Sequence, residues 1–167
     1  MESIGAVWPQ DHGWLEIRLD ESEMDYLWKC IDRKGDCAKK DLAGNISNSF
    51  FLVDENNWFY NRVLVEACRE YSKNFSNMGS SYGLIQDHPY FLKDFWVNYS
   101  RETEFNPLHN HIAVYSFTIW MKIPTKFEEQ RKNPIALLSN SQDSVSNFKF
   151  SYTDMMGSIQ NHVYEMS

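Results

Sequence analysis

The stretch from Phe105 to Pro124, FNPLHNHIAVYSFTIWMKIP, constrains this chain more than any other. It sets a turn, two histidines one residue apart and a long apolar run in immediate succession. Side chains alternate faces along an extended backbone, so His109 and His111 would share one face while Asn110 looks away. Neutral imidazole is the commonest metal ligand, which makes the two histidines a candidate pair of ligands at the lip of a β-strand. The competing reading is two solvated side chains in a loop ahead of a strand. Past the pair, Ala113, Tyr115, Phe117, Ile119, Met121 and Ile123 alternate with Val114, Ser116, Thr118, Trp120 and Lys122. That period of two predicts a strand, stopped by Pro124.

The residues before this stretch have a different grammar. GWLEIRL, residues 13–19, alternates loosely and predicts a short strand with Leu15, Ile17 and Leu19 inward. Asp20 followed three residues later by Glu23 is a capping box, which opens a helix whose apolar face is Met24, Leu27, Trp28 and Ile31. Gly44-Asn45 marks a turn, and Ser49 to Val53 is extended in pattern. Asp54, Asn56 and Asn57 are candidate caps for a second helix, with Phe59, Val63, Ala67, Tyr71 and Phe75 at helical spacing. This stripe is a packing face against a sheet. Residues 77–89 form a turn-rich connector, and His88 within it reads as a surface residue.

From Phe91 the period shortens. Phe95, Val97 and Tyr99 alternate with Asp94, Trp96 and Asn98; residues 135–138 are a short apolar run; and Phe148, Phe150 and Tyr152 alternate cleanly. Asp154 to Gly157 makes a turn, after which Ser158 to Met166 begins another strand. Helices followed by successive strands imply an α+β protein, in which N-terminal helices pack on an antiparallel sandwich or jelly roll. The strands after residue 90 are too few for a complete roll, so the fold is expected to be incomplete at the C-terminus. Residues 1–167 are one expected domain, with 1–90 a helical supporting region and 91–167 the partial jelly-roll core.

Composition narrows the partners. The formal net charge is −7, and no run of Lys or Arg forms a phosphate-binding stripe, which argues against nucleic acid. No apolar run reaches the length of a membrane span, and the first residues lack the basic and apolar regions of a secretory signal. Cys30, Cys37 and Cys68 are odd in number and form no CxxC, which favours a reducing, cytoplasmic setting.

The run FWVNYSRETEFNPLHNHIAVYSFTIWMKIP resembles the 2-oxoglutarate- and iron(II)-dependent oxygenases of marine phages and bacteria. LAGNISNSFFLVDENNWF and PIALLSNSQDSVSNFKFSYTD extend the resemblance over most of the chain from about Leu42. The resemblance implies a double-stranded β-helix fold, with Fe(II) and 2-oxoglutarate as cofactors. It also implies a host-cytoplasm setting if the chain is phage-encoded. Iron in such enzymes is held by two histidines and usually one carboxylate. The proximal pair normally reads His-x-Asp or His-x-Glu, whereas this chain has His111 where the acid is expected. Either His111 replaces the acid, as His-x-His pairs do in cupins, or His109 alone binds; we favour both as ligands.

The resemblance further implies a distal histidine and a basic residue for the 2-oxoglutarate carboxylate on later strands. His162 is the sole later histidine and a lesser candidate, so the distal ligand is expected beyond Ser167 and little turnover from these residues alone. Asn98 and Tyr115, on strands beside the motif, are candidates to bind the cofactor. Asn98 shares the parity of Trp96, whereas Tyr115 shares the apolar face, where core packing is the competing reading. The expected activity is thus a non-haem Fe(II), 2-oxoglutarate-dependent dioxygenase of hydroxylase type. The alternative is a non-catalytic, cupin-like metal- or ligand-binding protein or phage accessory protein.

Overall fold

A computed structural model of the chain describes residues 13–75, 90–134, 147–154 and 156–164. The chain divides into two compact units, residues 1–117 and 118–167.

The first unit is built on two capped helices and a small sheet. Helix α1 (Glu21–Asp32) begins at the predicted capping box: the Asp20 carboxylate accepts from the Glu23 amide, and the Glu23 side chain accepts from the Asp20 amide. Arg62 ties this cap to the second helical segment, reaching Asp20 at 2.9 Å and Glu23 at 3.1 Å. The Ser22 hydroxyl, the Glu23 amide and Arg62 hold the Asp20 carboxyl down to about 2. Leu27, Cys30 and Ile31 are the buried residues of α1. Trp28, expected on that face, is instead 39% exposed.

The second helical segment starts from a tight turn. Asn56 and Asn57 both take left-handed backbone angles, with φ 56° and 52°, a region asparagine tolerates better than most residues. Asp54 then accepts hydrogen bonds from the backbone amides of Phe59 and Tyr60, and from the Tyr26 hydroxyl at 2.7 Å. A π-turn (Tyr60–Leu64) runs on into helix α2 (Val65–Asn74). Phe59 and Val63 are buried, as the apolar spacing predicted, and Phe59 lies against Phe95 and Phe117 with centroids 6.2 and 6.3 Å away.

Strand β1 (Asn48–Phe51) pairs antiparallel with β2 (Trp96–Tyr99), placing Ser49 opposite Asn98 and Phe51 opposite Trp96. The segment 35–38 hydrogen-bonds along β1 through Gly35 N to Phe51 O, Phe51 N to Asp36 O and Ala38 N to Ser49 O. It thereby covers what would otherwise be an open edge. Lys34 stands over the rings of Phe50 and Tyr99 on one face of this sheet.

The second unit contains a one-turn helix α3 (Phe127–Gln130) and a hairpin of β3 (Phe148–Thr153) with β4 (Ile159–Tyr164). The hairpin stands where the alternation of Phe148, Phe150 and Tyr152 predicted it. Its turn is organised by Asp154, whose Oδ1 accepts from the amides of Met156 and Ser158, with Gly157 at φ 80°.

The expected incomplete jelly roll is not what these residues form. The described strands make two separate two-stranded antiparallel sheets, β1 with β2 and β3 with β4, and no double-stranded β-helix is evident among them. The run from Ala113 to Ile123 carries no strand. Its period of two has another cause. Tyr115 packs against Tyr71 and Tyr90, and Phe117 packs against Phe59 and Phe95. One-sided side-chain packing produces the same alternation as a ladder does, without inter-strand hydrogen bonds. Residues 13–20 likewise form no strand; Gly13 is instead held by the Tyr71 hydroxyl, which accepts from its amide and donates to its carbonyl. His88 and the runs at 77–89 and 135–138 lie outside the described residues.

Candidate metal site

The histidine loop is fixed at its base by the turn that Gly44-Asn45 announced. Asn45 N donates to Phe105 O at 2.9 Å. Glu104 Oε1 accepts from both the amide and the hydroxyl of Ser47, and Glu104 Oε2 accepts from Arg101 N. These bonds, led by the Ser47 hydroxyl, hold the Glu104 carboxyl below the usual range. Gly44 lies so close to Asn106 that a Cβ there would sit 2.1 Å from Asn106 Oδ1. Any side chain at this position would have to push the exposed Asn106 amide aside. Thr103, with φ 70°, turns the chain into the loop in a region that β-branched residues rarely adopt.

Above this base, Pro107 sets the first imidazole. His109 Nδ1 lies 2.7 Å from Pro107 O. A carbonyl only accepts, so Nδ1 carries the proton and Nε2 presents a lone pair. His109 Nε2 in turn lies 3.0 Å from His111 Nε2, and the two rings stack with centroids 4.9 Å apart. Without a metal this contact is a hydrogen bond in which His111 Nε2–H donates to His109. The Trp96 ring of β2 stands 5.8 Å from His111. Burial, then the neighbouring His109, pushes the His111 imidazole below its usual value and favours the neutral form that binds metal.

His109 and His111 meet ring to ring, but on a loop and not on the expected strand lip, since residues 109–111 carry no strand. Two imidazole nitrogens that share an octahedral ion at about 2.1 Å, at a right angle, stand about 3 Å apart. The Nε2 pair has that separation, and holding one ion between them requires the His111 proton to move to Nδ1. Among the described residues no cluster of three or more His, Cys, Asp or Glu is poised for a metal.

Asn98 Oδ1 accepts from the buried Ser49 hydroxyl at 2.7 Å, on the sheet face that also bears Trp96. Tyr115 meets Ser72 Oγ at 3.2 Å and packs with Tyr71 and Tyr90. Burial of Tyr90, aided by the Tyr115 hydroxyl, pushes its phenol up to about 12. No hydrogen bond or ring contact joins Asn98 or Tyr115 to the histidines. His162 lies in β4 opposite Phe150, with its ring 4.6 Å from Tyr164. The roles of Pro107 and Glu104 were not anticipated. Glu104, three residues beyond Arg101 and just before the motif, was the available signal. Apolar side chains crowd the loop at the surface: Phe105, Leu108 and Ile112 are all exposed.

Comparison with known proteins identifies no match: no family model, curated protein or solved structure aligns with this chain. No helix among the described residues is long and apolar enough to cross a membrane.

Proposed function

We propose that His109 and His111 supply the histidine part of a non-haem Fe(II) centre in a 2-oxoglutarate-dependent dioxygenase. The observation that carries this reading is the 3.0 Å convergence of the two Nε2 atoms, with the His109 tautomer already set by Pro107. Imidazole suits iron among the first-row metals, and open positions beside a small protein ligand set suit a co-substrate. When bound, the iron with 2-oxoglutarate supplies oxygen activation; the protein's part is to hold, orient and exclude water. Pro107 orients His109, Trp96 shields one side of His111, and Glu104 anchors the loop on Ser47. Asn98 stays a candidate for contacting 2-oxoglutarate, because it shares the Trp96 face. Tyr115, committed to Ser72 and to aromatic packing, is better accounted for as core. A cytoplasmic setting accords with three free cysteines.

A second reading is a non-catalytic metal- or ligand-binding protein. It is favoured by the ligand types, since two neutral imidazoles bring no charge to offset a divalent ion. Anaerobic Fe(II) titration with and without 2-oxoglutarate separates the two. The dioxygenase reading predicts a visible metal-to-ligand charge-transfer band that needs both components and disappears in His109→Ala and His111→Ala. Fe(II) binding with no such band supports the second reading, and Fe(II) affinity equal in all three proteins overturns both.

A further inference from the structure

A groove of about 430 Å³ opens on the first unit, lined by Tyr26, Glu55, Asn56, Trp58, Asn61 and Arg62. Its volume lies within the range of small-molecule sites. It shares no lining residue with the histidine pair. Its floor is aromatic: the rings of Tyr26 and Trp58 stack at 4.4 Å, 28° from parallel. Its rim is polar, and the state of each rim group narrows what can bind.

An anion is poorly served there. The backbone amides of Phe59 and Tyr60, which a helix start would offer to a phosphate, are already taken by the Asp54 carboxylate. Arg62 is neutralised by Asp20 and Glu23, and Glu55 is paired with Arg33 at 2.7 Å. The groups still uncommitted among the described residues are the side-chain amides of Asn56 and Asn61, each offering both donors and an acceptor. The left-handed turn at Asn56 and Asn57 sets Asn56 at the groove. Strained backbone of this kind persists where the surrounding structure enforces it. An aromatic floor, two uncommitted amides and cations already paired with carboxylates suit an uncharged ligand with an apolar C–H face and a ring of hydroxyls.

From these features we infer that this groove is a binding site for a neutral saccharide of one or two units. The sugar's C–H face lies on Trp58, and its hydroxyls bond to Asn56 and Asn61. The site is independent of the metal reading.

The test is saturation-transfer-difference NMR on the whole chain. The probes are glucose, galactose, mannose, N-acetylglucosamine and their common disaccharides, at concentrations suited to affinities of about 1 mM. At least one sugar is expected to receive transfer, with its C–H face protons strongest. The signal should be lost in Trp58→Ala and in Asn61→Ala and retained in His109→Ala. Asn61 is exposed and its amide makes no bond within the described residues, so Asn61→Ala keeps the fold if Trp58→Ala does not. Three results overturn the inference: no transfer to any sugar, transfer that survives Asn61→Ala, or groove resonances that respond to inorganic phosphate in preference to sugars.

Discussion

The turn around Asp54 and the loop around His109 both bend the chain through residues with positive φ, yet they invest their polar groups in opposite ways. At the first, Asn56 and Asn57 take the left-handed angles, and the carboxylate of Asp54 turns inward to satisfy Phe59 N, Tyr60 N and the Tyr26 hydroxyl. Beneath it Phe59 is only 1% exposed. At the second, Thr103 takes the left-handed angle, the polar bonds gather at the base on Glu104, and the tip presents two imidazoles amid exposed Leu108 and Ile112. The first turn spends its one carboxylate on the fold. The other is anchored by the fold and leaves its side chains to be used.

Substitution tests this contrast most strongly at the core. Phe59→Ala removes a ring packed on Phe95 and Phe117 and should cost about 3–5 kcal/mol. Leu108→Ala and Ile112→Ala at the loop tip should stay within about 0.5 kcal/mol. Chemical denaturation measures both, and comparable losses at the two places would erase the distinction.

Asp54→Ala comes next. It leaves two half-buried amides and a tyrosine hydroxyl without their acceptor and should cost about 1–3 kcal/mol. The Phe59 and Tyr60 amides should lose hydrogen-exchange protection, while those of β1 keep theirs.

The smallest effect is at the base of the loop and depends on pH. Glu104 has its folded-state pKa depressed, so the folded form binds fewer protons than the unfolded chain. Its contribution is fully present above the ordinary glutamate value and is lost as pH falls through the lower folded value. Exposure and salt keep it small. The Ser47 and Arg101 amides should therefore exchange faster relative to the rest of the first unit on acidification, and Glu104→Ala should flatten that dependence. An unchanged pH profile in the variant would mean that Glu104 does not hold the loop.

The helical half of this chain was legible because its determinants are local. The Asp20–Glu23 box sits within four residues, and the Phe59–Val63 spacing stands directly after its cap. The β3–β4 hairpin was legible for the same reason, its turn carrying Asp154 and Gly157. The run from Ala113 to Ile123 misled because alternation reports one-sided burial and says nothing about a hydrogen-bonding partner. Tyr115 and Phe117 pack on aromatic rings instead. The i, i+2 spacing of the histidines presupposed a strand, whereas the backbone there is a loop and the rings meet by stacking. What spacing could not convey was the non-local part: the docking of Glu104 and Asn106 on Gly44–Ser47, and the proton fixed on His109 by Pro107. The saccharide groove joins residues from α1 and the turn after β1, and no single stretch announces it.

The proposed centre stands on two imidazole nitrogens 3.0 Å apart. Long-range ¹⁵N NMR of the histidine rings during anaerobic Fe(II) addition reads that directly. Before addition, His109 should show the Nδ1–H tautomer. On addition, the His109 and His111 ring signals should broaden together, at the same metal concentration, with His162 unaffected. If the pair stays sharp, or if only one of the two responds, the shared site is contradicted.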